Sequence, residues 1–398
     1  MLNGVDLMAR QALAERIRED SWEAQLSIGV HARPGPGGEC RVDTEPMRLG
    51  SSRVARSFTL HQSRGAGPGS SSGPAPTSAA PAASGAAGCL DPVGSVLVGL
   101  GACVADGVVT RLTGEGCRLT ALEVVPVAEV GGGSAHLSYV VRVEGEVSAE
   151  QARRAVRAAR ERGSGHRTLE DPNEIRVVVQ TEQDVHLTAR PAEAAAQLSA
   201  PARRRTARVA WEVGAHVIAE ADGVRAESDQ PKQLFGADIA PSAQEYFLSA
   251  LAAEALLFAA DADADADAGS GTGSVYDAGS ASDAEGPGPQ NAVHASGRID
   301  LRGPYSTQDA PAGLRNVLVQ LLPADPSAKD GGGGPADAMR GWLAEGDALR
   351  LIRDAHPIRV EVVLNGTPIA SGPDGVATDT GTDIDTGTHD TKEQHSAP

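Results

Sequence analysis

Four thiols carry the nucleophilic and redox chemistry open to this chain: Cys40, Cys89, Cys103 and Cys117. No two form a Cys-x-x-Cys pair, and the ten histidines show no His-Glu-x-x-His spacing. The chain is therefore read as one without a metal or a cofactor. Gly131–Gly133 and Gly331–Gly334 lack the Lys-Ser/Thr that completes a phosphate-binding loop. A calcium loop opening at Asp263 would need Gly at position six and Glu at position twelve, where the chain has Ala268 and Ser274. The reactive candidate that remains is Cys103, about eleven residues into an apolar segment that begins at Pro92. To act as a nucleophile it must be a thiolate at neutral pH. A helix dipole fades within the first turn, so a cation from elsewhere has to supply the shift. Arg53, Arg56 and Arg225 precede the apolar helices and are candidates. The competing reading of Cys103 is a small buried hydrophobe.

The elements that must position Cys103 are legible from periodicity. Trp22–Ile28, Cys40–Glu45 and Arg53–His61 alternate as strands. Pro92 starts a helix and Gly114–Gly116 ends it, with Leu97, Leu100, Val104 and Val108 on overlapping faces. A helix apolar nearly all round is a buried one. Strands follow at Leu119–Val127 and His136–Glu144. Next come a helix at Ser148–Arg162 opened by a Ser148/Gln151 capping box and a strand at Asn173–Gln180. The second half repeats this order, with strands near Arg208–Val213 and Gly223–Ser228 and a Pro-started apolar helix from about Pro241. It closes with strands near His294–Leu301 and Arg315–Leu322, a helix at about Ala336–Asp354 and a strand at Ile358–Leu364. Setting Gly99–Val104 over Ala250–Ala255 gives a constant offset of 151 residues, which puts Gly94 beside Glu245 and Cys103 beside Glu254. The expectation is α+β: two β-β-α-β-β-α-β units, each with a long central helix under an antiparallel sheet. A carboxylate such as Glu254 in an apolar helix must pair or carry a raised pKa.

Composition fixes the frame. The chain has 398 residues and a formal net charge of −18. The segments 65–88, 261–292 and 371–398 carry too little apolar surface to offset their ordering entropy and read as disordered. Two of them hold −12 of the −18. The domain division is then 1–190, 201–370 and a tail 371–398. The acidic balance argues against a nucleic-acid or anionic-membrane partner. No run of about 18 apolar residues reads as a membrane span. The N-terminus lacks a secretory h-region, and four cysteines make no disulfide framework, so the cytoplasm is the default.

The run DPVGSVLVGLGACVADGVVTRLTGEGCRLTALEV resembles the central helix and following strand of the OsmC/Ohr family (osmotically inducible and organic-hydroperoxide-resistance proteins). RVAWEVGAHVIAEADGVRAESDQPKQLFGADIAPSAQEYFLSALAAE is similar to that family's N-terminal strands and helix. NGVDLMARQALAERIRED looks like the leader helix of a longer subgroup. The resemblance covers roughly 3–185 and 206–365. It implies a peroxiredoxin-type thiol peroxidase acting in oxidative-stress defence on organic hydroperoxides, with two tandem copies forming an intramolecular pseudo-dimer. Cys103 matches the peroxidatic cysteine. The family's resolving cysteine is replaced by Ser164 in the first copy and His356 in the second, so an external thiol, or one of Cys40, Cys89 and Cys117, must reduce Cys103. The family's assisting Glu, nine residues before the cysteine, is Gly94 in the first copy and Glu245 in the second. Glu254 stands at the second copy's cysteine position. One reading of this complementary loss is a composite site pairing Cys103 with Glu245; the other is that the sites of both copies have decayed. The alternative is a catalytically inactive OsmC-like module that keeps the fold and an apolar ligand pocket.

Overall fold

The computed structural model describes residues 1–64, 88–131, 134–192, 202–269, 290–326 and 334–369. The segment 65–87 and the tail 371–398 lie outside the described residues, as does 270–289 of the acidic insertion.

Helix α1 (Leu7–Glu19) is capped by Asp6, whose carboxylate accepts from the Ala9 N–H, and it buries Leu13, Ala14 and Ile17. Strands β1 (Gln25–Pro34), β2 (Cys40–Thr44), β3 (Met47–Leu49), β4 (Ser52–Val54) and β5 (Thr59–Gln62) follow. The single strand expected over Arg53–His61 is corrected to two. Residues 55–58 leave the ladder there, and Arg56 turns into the interior. Next come α2 (Pro92–Gly114), β6 (Leu119–Gly131), β7 (Ser134–Gly145), α3 (Ala149–Arg162), α4 (Ser164–Glu170), β8 (Ile175–Val179) and β9 (Val185–Ala189). Ser148 makes the anticipated capping box with Gln151 at the start of α3.

The second half holds β10 (Arg203–Val213), β11 (His216–Ala221), β12 (Val224–Ser228), α5 (Ala243–Gly269), β13 (Ala292–Asp300) and β14 (Arg315–Leu322). It ends with α6 (Pro335–Glu345), α7 (Asp347–Arg353), β15 (Arg359–Leu364) and β16 (Thr367–Ile369). Strand β11 was not anticipated. It is half of a hairpin closed by Asp222-Gly223, both at positive φ, the two-residue turn that follows strand twist. The helix expected over Ala336–Asp354 is broken at Gly346 into α6 and α7, as Gly163 separates α3 from α4. Disorder expected from Asp261 is corrected as well. Residues 261–269 continue α5, where alanine at every second position carries helix propensity.

The two halves do not build separate sheets. One sheet runs β4-β3-β1-β13-β14-β8-β9, with β2 also paired to β1 and β5 to β2; the other runs β12-β11-β10-β6-β7-β15-β16. Each takes strands from both halves. The helix pair α3–α4 carries the chain from β7 into the opposite sheet, where β8 lies parallel to β14. The pair α6–α7 carries it back, where β15 lies parallel to β7. The sheets are therefore mixed, a correction of the antiparallel expectation. Adjacent strands joined by a hairpin must be antiparallel, whereas a strand arriving from the other sheet is free of that constraint.

Helix α2 packs on β10, β6 and β11 of the second sheet, α5 packs on β1, β13 and β2 of the first, and the helices pack on each other. Both are buried over most of their length, which accounts for their apolar circumference. By length and composition α2 could cross a membrane, contrary to the sequence expectation, but most of it is buried inside the fold. Leu97, Leu100, Val104 and Val108 are fully buried. Each such side chain contributes about 1.5–3 kcal/mol.

Gly99 sets the approach of the two helices. A Cβ there would lie 2.7 Å from the Ala243 carbonyl oxygen and 3.1 Å from the Phe247 ring. Gly99→Ala should therefore lower unfolding stability by about 1–3 kcal/mol in a urea titration, despite the better helix propensity of alanine.

Candidate functional site

Cys103 lies half-way along α2, where the start of α4 and the start of α5 converge on it. Its sulfur is 3.5 Å from Ser164 Oγ and 3.5 Å from Gln244 Nε2, and Gln244 Nε2 donates to Ser164 Oγ at 2.7 Å. The Gly165 N–H also faces the sulfur. A Cβ on Gly165 would sit 2.6 Å from Cys103 Cβ, so glycine is what lets α4 begin directly over the cysteine. The thiol is buried, and burial pushes its pKa up to about 11. The Ser164 hydroxyl draws it down, the Asp106 carboxylate pushes it up, and the Gly165 N–H draws it down. No cation figures among these influences. At neutral pH the group is therefore held as a thiol.

Arg56, one of the three arginines singled out from the sequence, is inside the molecule. It pairs with Glu245 rather than with the cysteine. Arg56 Nη2 is 3.3 Å from Glu245 Oε2, Nη1 is 3.3 Å from Asp238 Oδ1, and Nη2 donates to the Ala240 carbonyl at 2.6 Å. Glu245 also accepts from the Ser242 N–H at 2.6 Å. Burial raises the Glu245 pKa, and Arg56 and Ser242 pull it back. Among the described residues no hydrogen bond or ion pair joins Glu245 to Cys103. The side chain that reaches the sulfur belongs to its neighbour Gln244. Consecutive helical residues point to different sides, so α5 cannot aim both at one target. The other two arginines, Arg53 on β4 and Arg225 on β12, are exposed. Gly94 lies in the first turn of α2, where its N–H is taken by Asp91. The acid at this helix start is Asp91 itself, 2.8 Å from Arg205.

Glu254 occupies on α5 the place that Cys103 holds on α2. It accepts from Trp342 Nε1 at 2.9 Å and from the Ala348 and Leu349 N–H groups at 2.8 and 2.9 Å. Burial raises its pKa, and these three donors oppose the rise. The start of α7 thus covers Glu254 as the start of α4 covers Cys103. The counterpart of Ser164 lies at the start of α7, whereas His356 lies beyond the end of that helix. There its Nε2 is 3.1 Å from the Arg350 carbonyl oxygen and its own N–H bonds to Leu169. Burial lowers the His356 pKa.

All four cysteines are free. Cys40 is buried on β2 with its thiol pushed up to about 12 by that burial. Burial, together with a hydrogen bond to Glu39, holds the Cys89 thiol at about 11. Cys117 is buried ahead of β6.

No protein-family model matches the chain, and no curated protein matches it. The site is therefore described by its own geometry: one buried thiol ringed by a hydroxyl, a carboxamide and a backbone N–H, with an arginine–carboxylate pair one residue away along α5. Gln244 was not foreseen, because nothing in the sequence distinguishes a glutamine beside a glutamate until the rotation of α5 about its axis is known.

Glu254→Ala should remove the shared acceptor of three buried donors and cost about 3 kcal/mol or more in denaturant unfolding. Glu254→Gln tests the ionisation. A carboxyl whose folded pKa is raised contributes stability that is full below the ordinary carboxylate range and is lost as pH rises through the raised value. The wild type should therefore lose stability relative to Glu254→Gln as pH is taken from about 4 to 8.

Proposed function

We propose that this chain is a tandem OsmC-like protein and that Cys103 is its thiol for reducing organic hydroperoxides in the cytoplasm. The observation that carries this reading is the setting of Cys103, a buried thiol gathered with Ser164, Gly165 and Gln244 from both halves where the two central helices meet. The reciprocal placement of β8 and β15 in opposite sheets supports the view of one chain as a built-in pseudo-dimer.

In the reaction, the Cys103 thiolate attacks the terminal oxygen of the hydroperoxide and the O–O bond breaks. The departing alkoxide takes a proton and leaves as an alcohol, while the sulfur is oxidised to a sulfenic acid. Donors are needed where negative charge gathers on oxygen. The Gln244 amide and the Ser164 hydroxyl lie within reach of an oxygen added to the sulfur. Ser164 cannot resolve the sulfenic acid, so an external thiol attacks Cys103 sulfur, water leaves, and a second thiol releases Cys103 as a disulfide forms. Arg56 and Glu245 act through position. They fix the first turn of α5 and with it the direction of Gln244.

The raised pKa limits the rate. A free cysteine is a few per cent thiolate at neutral pH, and burial holds Cys103 well below that. That same protonation favours the second reading, a catalytically inactive OsmC-like binding or structural protein.

Sulfenic-acid trapping with an alkyl hydroperoxide separates the two. The peroxidase reading expects an adduct at Cys103 that is absent in Cys103→Ser. Its rate should rise about tenfold per pH unit between 7 and 10, as the thiolate fraction grows. Gln244→Ala should slow it. No adduct over that range, and no peroxide loss with excess dithiol, would establish the inactive reading.

A further inference from the structure

The geometry points to a divalent transition-metal site formed by His31, Glu45 and His294 on the solvent face of the first sheet. His31 on β1 and His294 on β13 are directly opposed in the antiparallel register, with ring centroids 4.8 Å apart. Val30 and Ala32 on either side of His31 point inward and are buried, which turns His31 outward. Glu45 follows β2, and its backbone N–H is held by the Gly29 carbonyl at 2.9 Å. Its carboxylate spans the two rings, with Oε1 2.8 Å from His31 Nε2 and Oε2 3.3 Å from His294 Nε2. The three ligand atoms all lie within 4.8 Å of one another. Tetrahedral bonds of 2.0–2.2 Å to nitrogen and oxygen set donors about 3.3 Å apart.

Two further features bear on the cation. His294 Nδ1 is 3.0 Å from Gln320 Oε1, on the strand beside it. That contact limits rotation of the ring and keeps Nε2 turned toward Glu45. An outer partner fixing the orientation of a histidine ring is the usual support of a metal ligand. Gly29 is the second feature. A Cβ there would run into the Glu45 carboxylate and come within 3.3 Å of His294 Nε2, so the missing side chain leaves room for the carboxylate to lie across the strands. Two imidazoles and one carboxylate, with no thiolate, suit Zn(II) or a neighbouring first-row ion. The partial exposure of all three side chains leaves coordination positions for water. The ligands are spread over positions 31, 45 and 294, so no sequence motif announces them.

The test is equilibrium dialysis of chelator-stripped full-length protein against Zn(II) and Co(II), with the cysteines alkylated. The expected result is one saturable ion per chain and visible Co(II) bands without thiolate charge transfer. His31→Ala and Glu45→Gln should each abolish stoichiometric binding, and Gln320→Leu should weaken it about 10–100-fold. His61→Ala should leave it unchanged. These positions are partly exposed, and retained far-UV dichroism confirms that each variant folds. Absence of saturable binding, or binding that survives both His31→Ala and Glu45→Gln, overturns the site.

Discussion

The contact between α2 and α5 governs the rest of the molecule. Each helix is apolar around its circumference, so each needs cover on every side, and the two supply part of it for each other. The remaining faces require a sheet above one helix and a sheet below the other. Gly99 allows the helices to come close enough that the start of α5 projects over the middle of α2. That overlap is what brings Gln244 to Cys103. Were the helices further apart, the thiol would sit in an apolar core with no polar neighbour from the second half.

The same arrangement buries charge, and the fold handles it by pairing across the two halves. Glu245 at the start of α5 meets Arg56 from the first half, and Asp91 at the start of α2 meets Arg205 from the second. Buried ion pairs are weak evidence for stability, because desolvation offsets most of the attraction. Their well-attested use is to fix register. Here each pair ties a helix start to a segment of the other half, so a shift of either helix along its axis would leave charges buried and unpaired.

Cys103 and Glu254 show how one position serves two chemistries. Both lie in mid-helix under the start of a short helix, and both are buried. The carboxylate is met by three donors at normal hydrogen-bond distance, whereas the thiol has longer and weaker contacts. Burial raises the pKa of each. For the thiol the consequence is a group held in its protonated form at neutral pH. For the carboxylate it is a structural anchor between α5 and the α6–α7 pair.

The sequence by itself determined what depends on local pattern. Pro92 and the apolar run after it placed α2 to the residue, the Ser148 capping box placed α3, and the 151-residue offset set Cys103 and Glu254 at matching points of two helices. It also marked Arg56 and Glu245 separately. Periodicity reports which face of an element is buried, and capping reports where it ends. Neither reports which element lies opposite. Only the tertiary structure decided that the halves share both sheets, that Arg56 meets Glu245, that Gln244 is the residue turned to the sulfur, and that His31, Glu45 and His294 converge. Each of these depends on the rotation of a helix about its axis or the register of two strands far apart in the chain. Those quantities are fixed by packing between elements, and no stretch of local sequence encodes them.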